Sequence, residues 1–404
     1  MHILYYHQYF ISRDGSGGTR SYENARGLVA AGHKVTMVCG DGASGLSSDY
    51  KKGIRSGLVD GIHVIQLDTK YSNYQSLFRR TLSFFMFSIR SSKLVFTLDY
   101  DVIFATSTPL TIGIPGIIAK LFRRKYFVFE VRDLWPELPK AMGLIRNPII
   151  LFLMSVLEYC TYKSADRLIG LSGGMVEGIV KRGIKRESVA LIPNGCDLGL
   201  FKGEKQSLRN KRLSANDFVA IYAGAHGVAN GLEAILDIAS YLKNINEKEI
   251  KFLFIGDGKC KNELIKVSEE KELYNCVFIP SMSKKDVVGL LRSADIGLQI
   301  LKNIPAFYKG TSPNKFYDYL ASGLPIIVNY PGDVADLITS NNLGCVIPPG
   351  RPDLFGDALV ALKNDPSLLK EMGVNAKKLA AEQFDREKTV KKWVTWVTEE
   401  VVNE

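Results

Sequence analysis

The chain has few of the features that mark a small secreted protein or a metal-bound one. Its six cysteines, at positions 39, 160, 196, 260, 276 and 345 of 404 residues, include no C-x-x-C and no paired spacing. A disulfide scaffold or a zinc ribbon is excluded, and a reducing compartment is expected. Histidines at 2, 7, 33, 63 and 226 show no H-x-x-x-H or related metal spacing. No G-x-x-x-x-G-K-[ST] is present, so P-loop phosphoryl transfer is not indicated. The opening Met1-His2-Ile3-Leu4-Tyr5-Tyr6 has no basic segment ahead of an apolar stretch, so no signal peptide is expected and the location is expected to be cytoplasmic. The longest uncharged run, Val102 to Ala119, is interrupted by Pro109 and Pro115 and reads as strand, loop and helix start, not as a membrane span.

Acid is scarce in the first half. Residues 1–198 carry 25 basic against 16 acidic side chains, and residues 199–404 carry 27 against 26, so nearly all of the net charge of +10 sits before residue 199. Such a half is expected to meet an anionic surface. Nucleic acid is disfavoured, because no nucleic-acid-binding motif accompanies the charge. Thr69 to Leu98 holds Lys70, Arg79, Arg80, Arg90 and Lys93 and no acid. On a helix, Phe78, Leu82, Phe85 and Ile89 form one apolar stripe with Arg79, Arg90 and Lys93 beside it. Either the stripe packs on the protein's own sheet, or the helix lies on a bilayer with its basic flank against anionic headgroups. The charge excess favours the bilayer.

With 46% apolar and 23% charged residues there is material for sizeable cores, and the length suggests two domains. Short β-rich runs alternate with helical stretches throughout. Strands are predicted at 2–9, 34–39, 63–67, 102–106, 126–131, 167–171 and 189–193, then at 218–223, 251–255, 277–280, 296–300, 325–329 and 345–347. This rhythm predicts an α/β protein of two doubly wound parallel-sheet domains facing a cleft. Turn residues Pro193-Asn194-Gly195-Cys196-Asp197 mark the junction. The expected division is 1–196, 197–385, and a C-terminal helix 386–404 returning to the first domain. Ligands in such sheets lie beyond the carboxyl ends of the strands, so residues just after strands are the informative ones.

Two motifs are decoys on that criterion. Gly40-Asp41-Gly42-Ala43-Ser44-Gly45 spells G-x-G-x-x-G but opens no helix, so it is a weak dinucleotide signal. Asp99-Tyr100-Asp101 resembles a metal-binding D-x-D, yet it precedes a strand and reads as solvated entry carboxylates. Two other loops are better candidates. Asp14-Gly15-Ser16-Gly17-Gly18-Thr19-Arg20 follows the first strand and leads into a helix, where backbone N–H groups can approach an anion; it also reads as a flexible connector. Gly310-Thr311-Ser312-Pro313-Asn314-Lys315 precedes a helix with Ser312 as the expected N-cap, Pro313 at the first helical position and Gly323 past its end. Lys315 in the first turn would add a point charge toward a diphosphate, and Asp318 could accept hydrogen bonds from a ribose diol.

From this segment the chain resembles the family 4 glycosyltransferases, which have the two-domain GT-B fold. The Gly-rich loop, Pro193-Asn194-Gly195-Cys196-Asp197, Phe254-Ile255-Gly256-Asp257-Gly258 and Ala294-Asp295-Ile296-Gly297-Leu298 match in order. Glu130-Val131-Arg132-Asp133-Leu134-Trp135-Pro136-Glu137 further resembles a bacterial subgroup that builds O-antigen and capsule, with N-acetyl-L-fucosaminyltransferases the closest look. The resemblance implies a retaining transferase using a UDP-sugar donor and a polyprenyl-diphosphate-linked acceptor, peripheral at the inner face of the cytoplasmic membrane. It implies donor contacts at Gly17, Gly18, Arg20, Gly256, Gly258, Pro280, Lys309, Thr311, Ser312, Asn314, Lys315 and Asp318. Asp133 is the catalytic candidate, with Arg132 beside it, and His7 or Glu137 next in line. No cofactor or metal is expected, leaving-group charge being met by cations and helix dipoles. Three departures from the family pattern stand out: Gly310 and Asp318 stand for two glutamates, Ala225 or a neighbour and Asn230 for a basic pair, and Arg132 for a histidine. A UDP-sugar epimerase on the same fold and a non-catalytic membrane-surface scaffold remain as alternatives.

Overall fold

The computed structural model describes residues 1–13, 15, 18–69, 75, 77–202, 213–214 and 216–399. Two compact units are present: Met1–Pro193 with Lys309–Ser312 and the chain from Glu387 on, and Asn194–Tyr308 with Pro313–Arg386.

In the first unit the strands are β1 (His2–Tyr6), β2 (Lys34–Cys39), β3 (Ile54–Val59), β4 (Ile62–Leu67), β5 (Val102–Thr106), β6 (Tyr126–Val131), β7 (Arg167–Gly170) and β8 (Val189–Leu191). Its helices are α1 (Arg20–Ala30), α2 (Leu77–Ser92), α3 (Leu94–Thr97), α4 (Gly113–Arg123), α5 (Glu137–Ala141), α6 (Pro148–Ser164) and α7 (Gly173–Lys181). The eight-stranded sheet runs β3-β4-β2-β1-β5-β6-β7-β8. Strands β5 and β6 are near-continuous apolar runs because both faces of the sheet are packed against other elements there. The β3–β4 pair is antiparallel and was not expected from the periodicity. Asp60 and Gly61, both at positive φ, form the two-residue turn between them, the Asp-Gly signature of a hairpin. An edge strand of alternating half-exposed residues lacks the apolar run that marks its neighbours.

The second unit contains β9 (Phe218–Ala223), β10 (Ile250–Ile255), β11 (Cys276–Ile279), β12 (Ile296–Gln299), β13 (Ile326–Val328) and β14 (Gly344–Val346). They form an all-parallel sheet in the order β11-β10-β9-β12-β13-β14. Helices α8 (Glu233–Asn244), α9 (Lys261–Glu270), α10 (Lys284–Leu291), α11 (Pro305–Lys309), α12 (Asn314–Ser322), α13 (Asp333–Ser340), α14 (Pro352–Lys363) and α15 (Pro366–Gln383) accompany it. The last helix, α16 (Arg386–Thr398), puts Trp393 into the first unit's core. There it stacks on Tyr5 at 5.8 Å and meets the edge of Phe104 at 4.7 Å.

The parallel strands of each sheet reverse their order once, at β1/β5 and at β9/β12. Ligand crevices in open α/β sheets open at those points. They set which loops matter: those after β1, β5 and β6 in the first unit, and those after β9 and β10, with the start of α12, in the second.

Helix α2 packs inward through Phe84, Phe87, Ser88 and Ser91, and leaves Leu82, Phe85, Met86 and Ile89 exposed. The alternative in which the apolar stripe packs on its own sheet is thereby overturned; Phe78 and Lys70 fall outside the described side chains. Arg90 is no free surface cation either. Its guanidinium donates to the carbonyls of Asp68 and Gly53, both at 2.8 Å. Among the described residues no helix is long and apolar enough to cross a membrane.

Candidate active site

In the second unit two loops are pressed together at the carboxyl edge. Gly224 N–H donates to Ile255 O and His226 N–H to Asp257 O. At Gly256 (φ +141°) a Cβ would lie 2.0 Å from Gly224 O, so only glycine lets the backbones approach this closely. Gly258, beside it, packs against the His226 backbone. Pro280 is exposed at the end of β11.

Helix α12 begins beside these loops. Its N-cap is Pro313 and no side chain caps it, so the expected capping role of Ser312 is corrected; Gly323, at φ 71°, ends it as expected. The N-cap Pro313 offers the first turn no side-chain acceptor, and Asn314 is exposed there. Lys315 Nζ lies 4.6 Å above the Tyr222 ring and donates to Asn230 Oδ1 at 3.3 Å. Among the described residues it makes no ion pair, and burial lowers its ammonium to about 8. A half-buried cation without an anion, at a helix N-terminus, is built to receive one. Asp318 is salt-bridged to Lys284 of α10, a partner the sequence reading missed because the two lie on different helices. Buried His226 stands between the rings of Tyr222 and Phe254, its ring nitrogens unpartnered and its pKa lowered by burial to about 4.

At the carboxyl edge of the first sheet, Glu130 is fully buried and receives Arg20 Nε and Nη2, Arg132 Nε and Thr106 Oγ1 at 2.7–3.0 Å. Burial opposes its ionisation, but Arg20 and then Arg132 outweigh that and hold it at about 2. Arg20 also donates to Pro193 O at 2.6 Å and Ile192 O at 2.9 Å. Four of its five N–H donors are committed to this cage. Arg132 is held likewise, with Nη2 on Ser21 Oγ at 2.7 Å. Glu130 was passed over in the sequence; a glutamate inside the apolar strand Phe127-Val128-Phe129-Glu130-Val131 was the available signal.

Asp133 points elsewhere. Thr108 Oγ1 donates to Asp133 Oδ2 at 2.7 Å, and burial, opposed by that bond, raises the carboxyl to about 6. Such a group can exchange a proton near neutral pH. Buried His7 is kept neutral by desolvation, and exposed Glu137 pairs with Arg182 at 2.6 Å. Gly18 is exposed ahead of α1, and Gly17 lies outside the described residues. Lys309–Ser312 groups with the first unit, where Lys309 O accepts from Ser172 Oγ at 2.9 Å. Of the two decoys, Asp101 accepts the His2 N–H at 2.7 Å at the strand's entry, and Gly40–Gly45 opens no helix.

Residues 15–195 match the family described as glycosyl transferase 4-like domain, and residues 204–379 match glycosyl transferases group 1. The chain belongs to the family 4 glycosyltransferases. Among relatives of this glycosyltransferase is the Escherichia coli (strain K12) protein WcaI, assigned by name to colanic acid biosynthesis as a glycosyl transferase. It is 25% identical over 69% of this chain and 70% of its own. Sucrose-phosphate synthase from Thermosynechococcus elongatus superposes with a TM-score of 0.78 at 14% identity over the full length of both chains. Anabaena HepE, solved with UDP, gives 0.67 at 17% identity over 99% of this chain and 100% of its own. The fold is GT-B.

Proposed function

We propose that this glycosyltransferase moves a sugar, with retention of configuration, from a UDP-linked donor to a polyprenyl-diphosphate-linked saccharide in O-antigen or capsule assembly. N-acetyl-L-fucosamine is the sugar that the sequence resemblance implies. The observation that carries the donor reading is the Lys315 ammonium, which makes no ion pair among the described residues, in the first turn of α12, where the N-cap Pro313 supplies no side-chain bond. UDP in the related HepE fold supports it, and the colanic acid name of WcaI supports polysaccharide assembly.

In this reading the diphosphate meets Lys315, the Asn314 end of α12, and Thr311, Ser312 and Lys309 on the preceding loop. The base and ribose lie along Gly256, Gly258 and Pro280. Asp318, oriented by Lys284, accepts from the ribose diol. Asp133 takes the proton of the attacking acceptor hydroxyl as the glycosidic bond breaks, while the Arg20–Glu130–Arg132 cage fixes the strand end that carries it. The basic first unit meets the anionic inner leaflet, where the lipid-linked acceptor resides. Titration calorimetry with UDP tests the donor site: a Lys315→Ala variant that binds UDP as the wild type does would move the nucleotide elsewhere. Mass spectrometry of lipid-linked product formed from a panel of UDP-sugars identifies the sugar.

A further inference from the structure

Helix α6 is polar in the wrong direction for a helix of a water-soluble layer. Its outward stripe is Ile149, Phe152, Leu153, Val156 and Tyr159, at i, i+3, i+4, i+7 and i+10, with Ile149 and Phe152 about two-thirds exposed (68% and 66%). Its one acid, Glu158, is turned inward and bound to Arg182 at 2.8 Å. The start of the helix is encoded locally, since Asn147 caps the first turn through Ile149 N–H and Ile150 N–H and Pro148 starts it. Helix α4 packs against both α6 and α2, ends in exposed Leu121 and Phe122, and brings Phe122 to 6.4 Å from Phe96. With the outward stripe of α2, this makes one apolar face on one side of the first unit. Soluble monomers rarely leave so much contiguous apolar surface in water.

The charges around this face identify its occupant. Helices α2, α3, α4 and α6 carry no acid except buried Glu158, whereas exposed Lys93, Arg124 and Arg146 stand at their ends. A second copy docking face to face would set these cations against one another. An anionic bilayer offers both complements, acyl chains for the stripes and phosphates for the rim. We propose that the outer face of α6, continued by α4 and α2, is a bilayer-docking surface lying in the membrane plane. Its apolar side chains enter the boundary between headgroups and acyl chains of an anionic leaflet, and Lys93, Arg124 and Arg146 engage lipid phosphates. This rests on the reading of the acceptor as lipid-linked and names the surface that reaches it.

The test is co-sedimentation of the full chain with vesicles of phosphatidylglycerol and phosphatidylethanolamine, and with phosphatidylcholine alone, at low and high salt. The variants are Phe152→Ser/Leu153→Ser on α6, Phe122→Ser on α4, and Lys93→Gln/Arg124→Gln/Arg146→Gln. UDP affinity and melting temperature report that each is folded. The α6 pair should lose vesicle partitioning by about 10-fold or more at both salt levels, because apolar insertion is not screened. Phe122→Ser should lose less, and the charge variant should lose binding to anionic vesicles at low salt only. If the folded α6 and α4 variants sediment like the wild type, this surface is wrong while membrane association stands. If the wild type binds no vesicle, the membrane reading itself fails. A wild-type dimer that the α6 pair converts to monomer would assign the face to a second copy and overturn the proposal.

Discussion

At Lys315 the desolvation of an ammonium is tolerated with no ion pair among the described residues to offset it. Because its pKa falls from 10.5 to about 8 in the fold, the unfolded chain binds more protons between those values, and stability rises with pH across that window. A Lys315→Met variant is therefore expected to melt higher than wild type near pH 7 without nucleotide, and to lose that advantage above pH 10.5. Lys315→Ala should weaken UDP binding by about 1–3 kcal/mol, the range for a hydrogen bond to a charged group. Calorimetry and thermal scans at two pH values check both outcomes. Asp133 titrates in the opposite sense. Its carboxyl is raised from 3.8 to about 6, so the fold favours the protonated form and gives up that contribution as pH rises through 6. Asp133→Asn should melt no lower than wild type above pH 6 and keep UDP affinity while turnover falls about 10²-fold or more. Wild-type turnover should fall on the acid side of pH 6, and the Asn variant should lack that limb. Near-normal kinetics in the Asn variant would return Asp133 to a turn-holding role.

At the scale of elements, Glu130 and Arg90 tie strands and loops that share no local sequence. Glu130 is held at about 2, below its ordinary 4.5, so its contribution is full above pH 4.5 and lost as pH falls through 2. Glu130→Gln should cost about 3–5 kcal/mol, as for a buried pair deprived of one partner. It should also flatten the acid-unfolding profile below pH 4.5. Arg90→Gln removes two charge-assisted bonds to backbone carbonyls and should lower the melting temperature, whereas Lys93→Gln should not, Lys93 being exposed. The helix patterns were legible because 3.6-residue periodicity is local. Which stripe of α2 faced the sheet was not: Leu82, Phe85 and Ile89 and the inward Phe84, Phe87 and Ser88 are both regular stripes. Only packing against β4, α3 and α4 chose between them.

For the whole molecule, one core cluster in the second unit and two in the first, each within its own unit, predict two calorimetric transitions. UDP at about 100 times its Kd should add roughly 2.7 kcal/mol to the unit that binds it. The transition assigned to residues 194–308 and 313–386, which carry Lys315, Gly256 and Gly258, is expected to shift more than the other, to which Lys309–Ser312 belongs.

Much of the architecture was written in the chain itself. Apolar runs of four to six residues between turn signals specify buried parallel strands, and β5, β6 and β9 fall at the residues their pattern predicts. The motif order and the position of α12 were legible for the same reason, since each depends on neighbours a few residues apart. The Asp-Gly hairpin of β3 and β4 was legible in its turn but hidden in its strand, which faces water on alternate residues. Tertiary structure alone decided the partners: Arg20 with Glu130, Lys284 with Asp318, Lys315 with the Tyr222 ring, and the outward turn of the α6 stripe. These pairings join residues 34 to 110 positions apart, or set a helix's rotation about its axis. No local propensity carries that information, because charge pairing and burial depend on distances in the folded chain.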